Sequence, residues 1–83
     1  MQSLKDALDQ EYNWPAQYTF KFVVPISRKD DLANFFPQQL ISWKESRTGK
    51  YSSLTCTQTM MSSEEVLAIY EEVKSHIPEA IGL

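Results

Sequence analysis

This chain contains one cysteine and one histidine in 83 residues. A single thiol permits no internal disulfide, and one thiol with one imidazole cannot complete a usual zinc site. With two glycines, the chain has no flexible linker and no low-complexity tract. No apolar run approaches the length of a membrane span, and the N-terminus has neither the basic nor the apolar part of a signal peptide. A reducing cytoplasm is therefore the expected location. Positive charge is also scarce: the net charge is −3 and the isoelectric point about 5.0. Phosphate backbones are held by clustered cations, so this balance argues against nucleic acid as a partner.

What remains is ordinary globular material. The hydrophobic fraction is 42%, and the length suits one domain with a modest core. Residues 1–83 read as a single domain, with 1–14 as an N-terminal extension. Within it Leu4, Leu8 and Tyr12 share a spacing that suits a short amphipathic helix.

The strongest local signal lies in the second half. Ser62 and Glu65 form a capping box, with Met61 and Val66 placed for a hydrophobic staple. Val66, Ile69, Tyr70, Val73 and Ile77 then recur at helical spacing, and Pro78 ends the run. Upstream, Lys50 to Met60 alternates. Leu54, Cys56, Gln58 and Met60 fall on one side, and Tyr51, Ser53, Thr55, Thr57 and Thr59 on the other. Thr48-Gly49 reads as a two-residue hairpin turn. That turn pairs Arg47 with Lys50, Trp43 with Leu54 and Ile41 with Cys56. Apolar residues then meet apolar ones on one face, while Ser42, Lys44 and Ser46 meet Thr55, Ser53 and Tyr51 on the other.

A further strand runs from Tyr18 to Val24, with Tyr18, Phe20, Phe22 and Val24 on one face and Thr19, Lys21 and Val23 on the other. Ser27 reads as the cap of a shorter helix that turns Leu32, Phe35 and Phe36 inward and ends at Pro37. Ala80 to Leu83 can form a last short strand. The sequence thus predicts an α+β, ferredoxin-like βαββαβ order: a four-stranded antiparallel sheet with two helices on one face and the other face open.

Two segments carry a resemblance. Pro15-Ala16-Gln17-Tyr18-Thr19-Phe20-Lys21 looks like the Phe-Pro-x-x-Phe-x-Tyr-Lys motif of the YbeD-like family, small bacterial proteins grouped as a domain of unknown function. Gly49-x-Tyr51-x-Ser53 and the run to Tyr70-Glu71-Glu72-Val73 resemble the same family without a gap. Trp14 stands where phenylalanine is usual, and Ile26 to Lys44 is shorter than its counterpart. The family is similar in fold to ACT-type regulatory domains. The resemblance therefore implies a regulatory or ligand-sensing role, and allows two copies to pair through sheet edges or helices as a homodimer.

No catalytic set, cofactor site or metal site is expected, and the protein is not expected to be an enzyme. Cys56 lies on the inner face, where a thiol acts as a small hydrophobe. His76 sits near a helix end, where a positive charge is favoured. Glu64, Glu65, Glu71 and Glu72 belong to a solvated helix face. Three functions share the topology. The favoured reading is a non-catalytic module that binds a protein partner or a small ligand. An RNA-binding domain is the alternative, but no run of open-face aromatics supports it. An acylphosphatase-like enzyme would use Arg28, yet Pro25 to Asp31 lacks the glycines that let a backbone close around phosphate. The candidate interaction surface is Lys21, Lys44, Arg47, Lys50, Tyr51 and Ser53. Lysines on a sheet face serve no core, although hairpin cations also keep an edge strand soluble.

Overall fold

The computed structural model describes residues 3–83. The order of elements is α1 (Leu4–Glu11), β1 (Ala16–Pro25), α2 (Lys29–Ala33), β2 (Ile41–Glu45), β3 (Tyr51–Met60), α3 (Ser63–His76) and β4 (Ile81–Gly82). The strands form one sheet in the order β2-β3-β1-β4, and every neighbouring pair is antiparallel. The protein is thus α+β, with a four-stranded antiparallel sheet and three helices.

Alternation in the two long strands decides which face is dry. β1 and β3 pair over their whole length, and Phe20, Phe22 and Val24 meet Cys56, Leu54 and Ser52. These six are at most 3% exposed, while the intervening Thr19 and Lys21 stand in water. Leu8 of α1, Leu32 of α2 and Val66 and Val73 of α3 join the same cluster, so the helices share one side of the sheet. Burying each large apolar side chain stabilises the fold by about 2 kcal/mol. An aromatic run extends this core from Trp14 through Tyr12, Tyr18 and Phe20 to Phe36, with Tyr70 packed on Phe20 and Phe22. Gly82 is what lets β4 close over Tyr70, since a Cβ there would stand 3.2 Å from the Tyr70 ring.

The β2–β3 register agrees with the sequence reading: Trp43 lies opposite Leu54, Ile41 opposite Cys56 and Lys44 opposite Ser53. The turn differs. The loop spans Arg47–Lys50, closed by Gly49 N–H donating to the Ser46 carbonyl and Ser46 N–H donating to the Tyr51 carbonyl. Gly49 has φ +73°, and no other described residue has a positive φ. The two-residue turn would need Thr48 at positive φ as well, which a β-branched side chain resists.

Five further expectations are corrected. Ser27 does not cap a helix. It lies inside a 3-10 turn, Ile26–Arg28, and α2 begins at Lys29 without a side-chain cap. The Met61–Val66 staple does not form, because Met61 is 58% exposed while Val66 is buried. Ser62 does cap α3 by accepting from Glu65 N–H, but the Glu65 carboxylate reaches back to Met61 N–H, one residue further than the capping box requires. Trp43 faces the helices but is only half-buried, since five-residue α2 is too short to cover β2. β4 holds two residues where four were expected.

α1 is a docked helix. Ser3 caps it, Leu8 buries its inner side, and Asp9 accepts from the Trp14 indole at 2.9 Å and from Lys5 at 2.9 Å. The Lys5 ammonium, then the Ser63 hydroxyl and the Trp14 indole, hold the Asp9 carboxyl down to about 2.

Gly49→Ala forces an alanine into the left-handed region, and urea unfolding should show a loss of about 1 kcal/mol; an unchanged midpoint would refute the strained turn. Asp9 has a folded value below its ordinary 3.8. Its contribution should be complete above about 3.8 and vanish as pH falls through about 2. A carboxyl titration by NMR should place Asp9 near the lower figure, and Lys5→Met should raise it.

Candidate functional site

The open face of the sheet is built from the outward residues of four strands. Across it, Lys44 is opposite Ser53, Ser53 opposite Val23, and Val23 opposite Ile81. One step along, Ser42 is opposite Thr55 and Thr55 opposite Lys21. Beyond these the Thr19 and Thr57 hydroxyls bond at 2.8 Å, and the Gln17 amide donates to Thr59 at 2.7 Å. Tyr51 ends the row beside Pro25 and is 50% exposed. Lys21, Lys44, Tyr51 and Ser53 therefore share one face. Arg47 and Lys50 lie in the hairpin loop at its end.

Lys21 and Lys44 are two strands and two residues apart. At ordinary sheet spacings that is about 12 Å. Such a separation suits a track of cations better than a socket for one compact anion. Tyr51 is the lone aromatic on this face among the described residues, since Tyr18, Phe20, Phe22 and Trp43 all turn toward the helices.

Charge is sorted between the two sides. All eleven carboxylates lie on the helices, on the loop after α3, or at Glu45 on the helix side of β2. Glu45 meets Lys29 there at 3.7 Å, and the Lys29 ammonium also stands 4.9 Å from the Trp43 ring centre. Among the described ion pairs, Lys5, Arg28 and Lys29 have carboxylate partners, and Lys74 donates to the Pro78 and Ala80 carbonyls. Lys21, Lys44, Arg47 and Lys50 appear in none of them. Half of the eight basic residues thus lie on the sheet and its hairpin with no carboxylate partner among the described ion pairs, in a chain of net charge −3.

The other chemical residues are engaged elsewhere. Arg28 donates from Nε to Asp31 at 2.9 Å, from Nη1 to both oxygens of Glu79 at 3.1 Å, and from Nη2 to the His76 carbonyl at 2.9 Å. It ties α2 to the end of α3. His76 Nδ1 lies 2.9 Å from the Glu72 carbonyl, and its ring meets the edge of Phe35. Burial raises the Cys56 thiol above its ordinary value. Burial, followed by the hydrogen bond with Tyr18 at 2.9 Å, pushes the Tyr70 phenol well above its usual range. Ser52 Oγ is buried without a hydrogen-bond partner. No group of three metal-ligating side chains occurs among the described residues, and no helix there is long and apolar enough to cross a membrane.

Sequence reasoning placed the four sheet residues on one face but missed the sorting of charge. The signal was present as the absence of Asp and Glu from 12–29 and 46–63, the segments that hold β1 and β3. It also missed the cage around Arg28, which joins residues 51 positions apart and leaves no local pattern.

A family described as "Protein of unknown function (DUF493)" matches residues 9–78. The chain belongs to this family. The match takes in both long strands and α3, and therefore the whole candidate surface except the open-face residues of β4. No curated protein and no solved structure matches the chain.

Cys56 provides a check on this layout. It is fully buried, so a disulfide-exchange reagent should label it only as fast as the sheet opens. Labelling at the rate of a free thiol in native buffer would contradict the inward placement of this β3 residue.

Proposed function

We propose that this DUF493 protein is a non-catalytic binding module whose open sheet face takes an acidic segment of a protein partner. The observation that carries the reading is the sorting of charge. Every Asp and Glu side chain belongs to a helix, to the loop after α3 or to the helix side of β2, and four cations without described partners lie on the sheet and its hairpin. A face of this kind repels a second copy of itself, so face-to-face pairing is disfavoured. It attracts an extended anionic chain, with charge raising the encounter rate more than the affinity.

The competing readings have less support. Tyr51 alone offers no stacking platform for RNA bases. Arg28, the cation an acylphosphatase-like enzyme would need, already has its donors bound to two carboxylates and a carbonyl. The order β2-β3-β1-β4, with β1 and β3 central and helices α2 and α3 following them, supports the ferredoxin-like reading. The YbeD-like resemblance is consistent with the family match. By analogy with ACT-type domains, the module would serve a regulatory role in the cytoplasm.

A blocked hexaglutamate peptide is a suitable probe. Amide shifts on titration should map to Lys21, Lys44, Tyr51 and Ser53 and fade with added salt. The double change Arg47→Glu with Lys50→Glu should weaken binding severalfold and flatten its salt dependence. Shifts confined to the helices, or a correctly folded double variant that binds unchanged, would refute the proposal.

A further inference from the structure

We infer that the outer edge of β2 accepts an added strand from the partner, an extended segment in which apolar and acidic residues alternate. This rests on the reading of the open face and specifies how the acidic segment is held. The first observation is the direction of the backbone. Ser46 N–H donates to the Tyr51 carbonyl, which points Ser46 at β3. By alternation Ser42 and Lys44 also point at β3, and Trp43 and Glu45 point off the sheet. None of the described hydrogen bonds uses the backbone N–H or C=O of Trp43 or Glu45. Both residues therefore offer a strand's donors and acceptors to an incoming chain.

The second observation is the chemistry on either side of that edge. Toward the helices, Ile41 and Trp43 are half-buried and Leu40 is 45% exposed, because short α2 leaves this end of the sheet uncovered. Glu45 lies on the same side and would repel an acid there. Toward the open face, Lys44 projects alone from the edge strand, with Arg47 and Lys50 at the adjoining hairpin. An added strand sends successive side chains to opposite faces. One set should therefore be apolar, packing on Ile41 and Trp43, and the other acidic, meeting Lys44. Lys44 also gives selectivity, since an uncharged strand would pack beside it without compensating its charge. The bare edge of β1 lacks this pattern: its open-face residues Gln17 and Thr19 are uncharged, and Lys21 lies where the chain after Ala80 already covers the edge, with Leu83 N–H donating to the Lys21 carbonyl.

The test uses a blocked seven-residue peptide alternating valine and aspartate with the intact protein. Antiparallel addition, in keeping with the rest of the sheet, turns the valine amides toward β2 and the aspartate amides away. N-methylation of the valine amides should weaken binding at least tenfold, whereas N-methylation of the aspartate amides should change it less than threefold. Hydrogen exchange at Trp43 and Glu45 should slow on binding, and Lys44→Glu should weaken the peptide about tenfold. Equal effects of the two methylation series, unchanged exchange at Trp43 and Glu45, or no binding of the peptide would overturn strand addition. If hexaglutamate still moves the Lys21 and Ser53 amides in that case, only the edge inference fails. If the methylation asymmetry appears while hexaglutamate leaves the open face untouched, the edge stands and the open-face reading fails.

Discussion

The ten-residue pairing of β1 with β3 is the constraint on which the rest of this structure depends. It locks the phase of two alternating strands against each other. Once Phe22 faces Leu54, every other pair is assigned a side. A slip of β1 by one residue would place Phe20 and Phe22 in water and Lys21 among the helices beside Leu54. The dry side and the hydroxyl-rich side thus arise from one register, and neither can change without the other.

The helices answer to that register unequally. α3 is long enough to lay Val66, Tyr70 and Val73 along the two central strands, and its N-terminus is properly capped. α2 covers its share with Leu32, helped by Phe36 beyond its end, and stops. Arg28 holds it in place by bridging to Glu79 and to the His76 carbonyl at the end of α3. The short reach of α2 has a consequence at the margin of the sheet. β2 keeps its hydrogen bonds to β3 but lacks a roof, so Trp43 relies on the Lys29 ammonium over its ring for partial cover.

Electrostatics follows the same division into layers. Carboxylates gather where helix N-termini and solvated helix faces accommodate them, as Glu64 and Glu65 do in the first turn of α3. β1 and β3 carry no acid at all, and their charged outward residue is Lys21. A molecule of negative net charge therefore presents a positive face, a property that the isoelectric point conceals. The local field is what a partner meets within a Debye length of the surface.

Much of this was legible in the amino-acid sequence, where the signal is local and periodic. Alternation in 18–24 and 51–60 set the faces, agreement of both faces across Thr48-Gly49 set the hairpin register, and Ser62 marked the start of α3. Errors arose where a local rule had two solutions. The hairpin loop took the form that spares Thr48 a positive φ, and Glu65 found Met61 N–H instead of that of Ser62. Only the tertiary structure decided that Trp43 is left half-covered, that Arg28 is enclosed by residues from two helices and a loop, and that four cations have no carboxylate partner among the described ion pairs. Those properties depend on which segments meet and how far each helix reaches, and contacts between distant positions leave no period for a sequence to show.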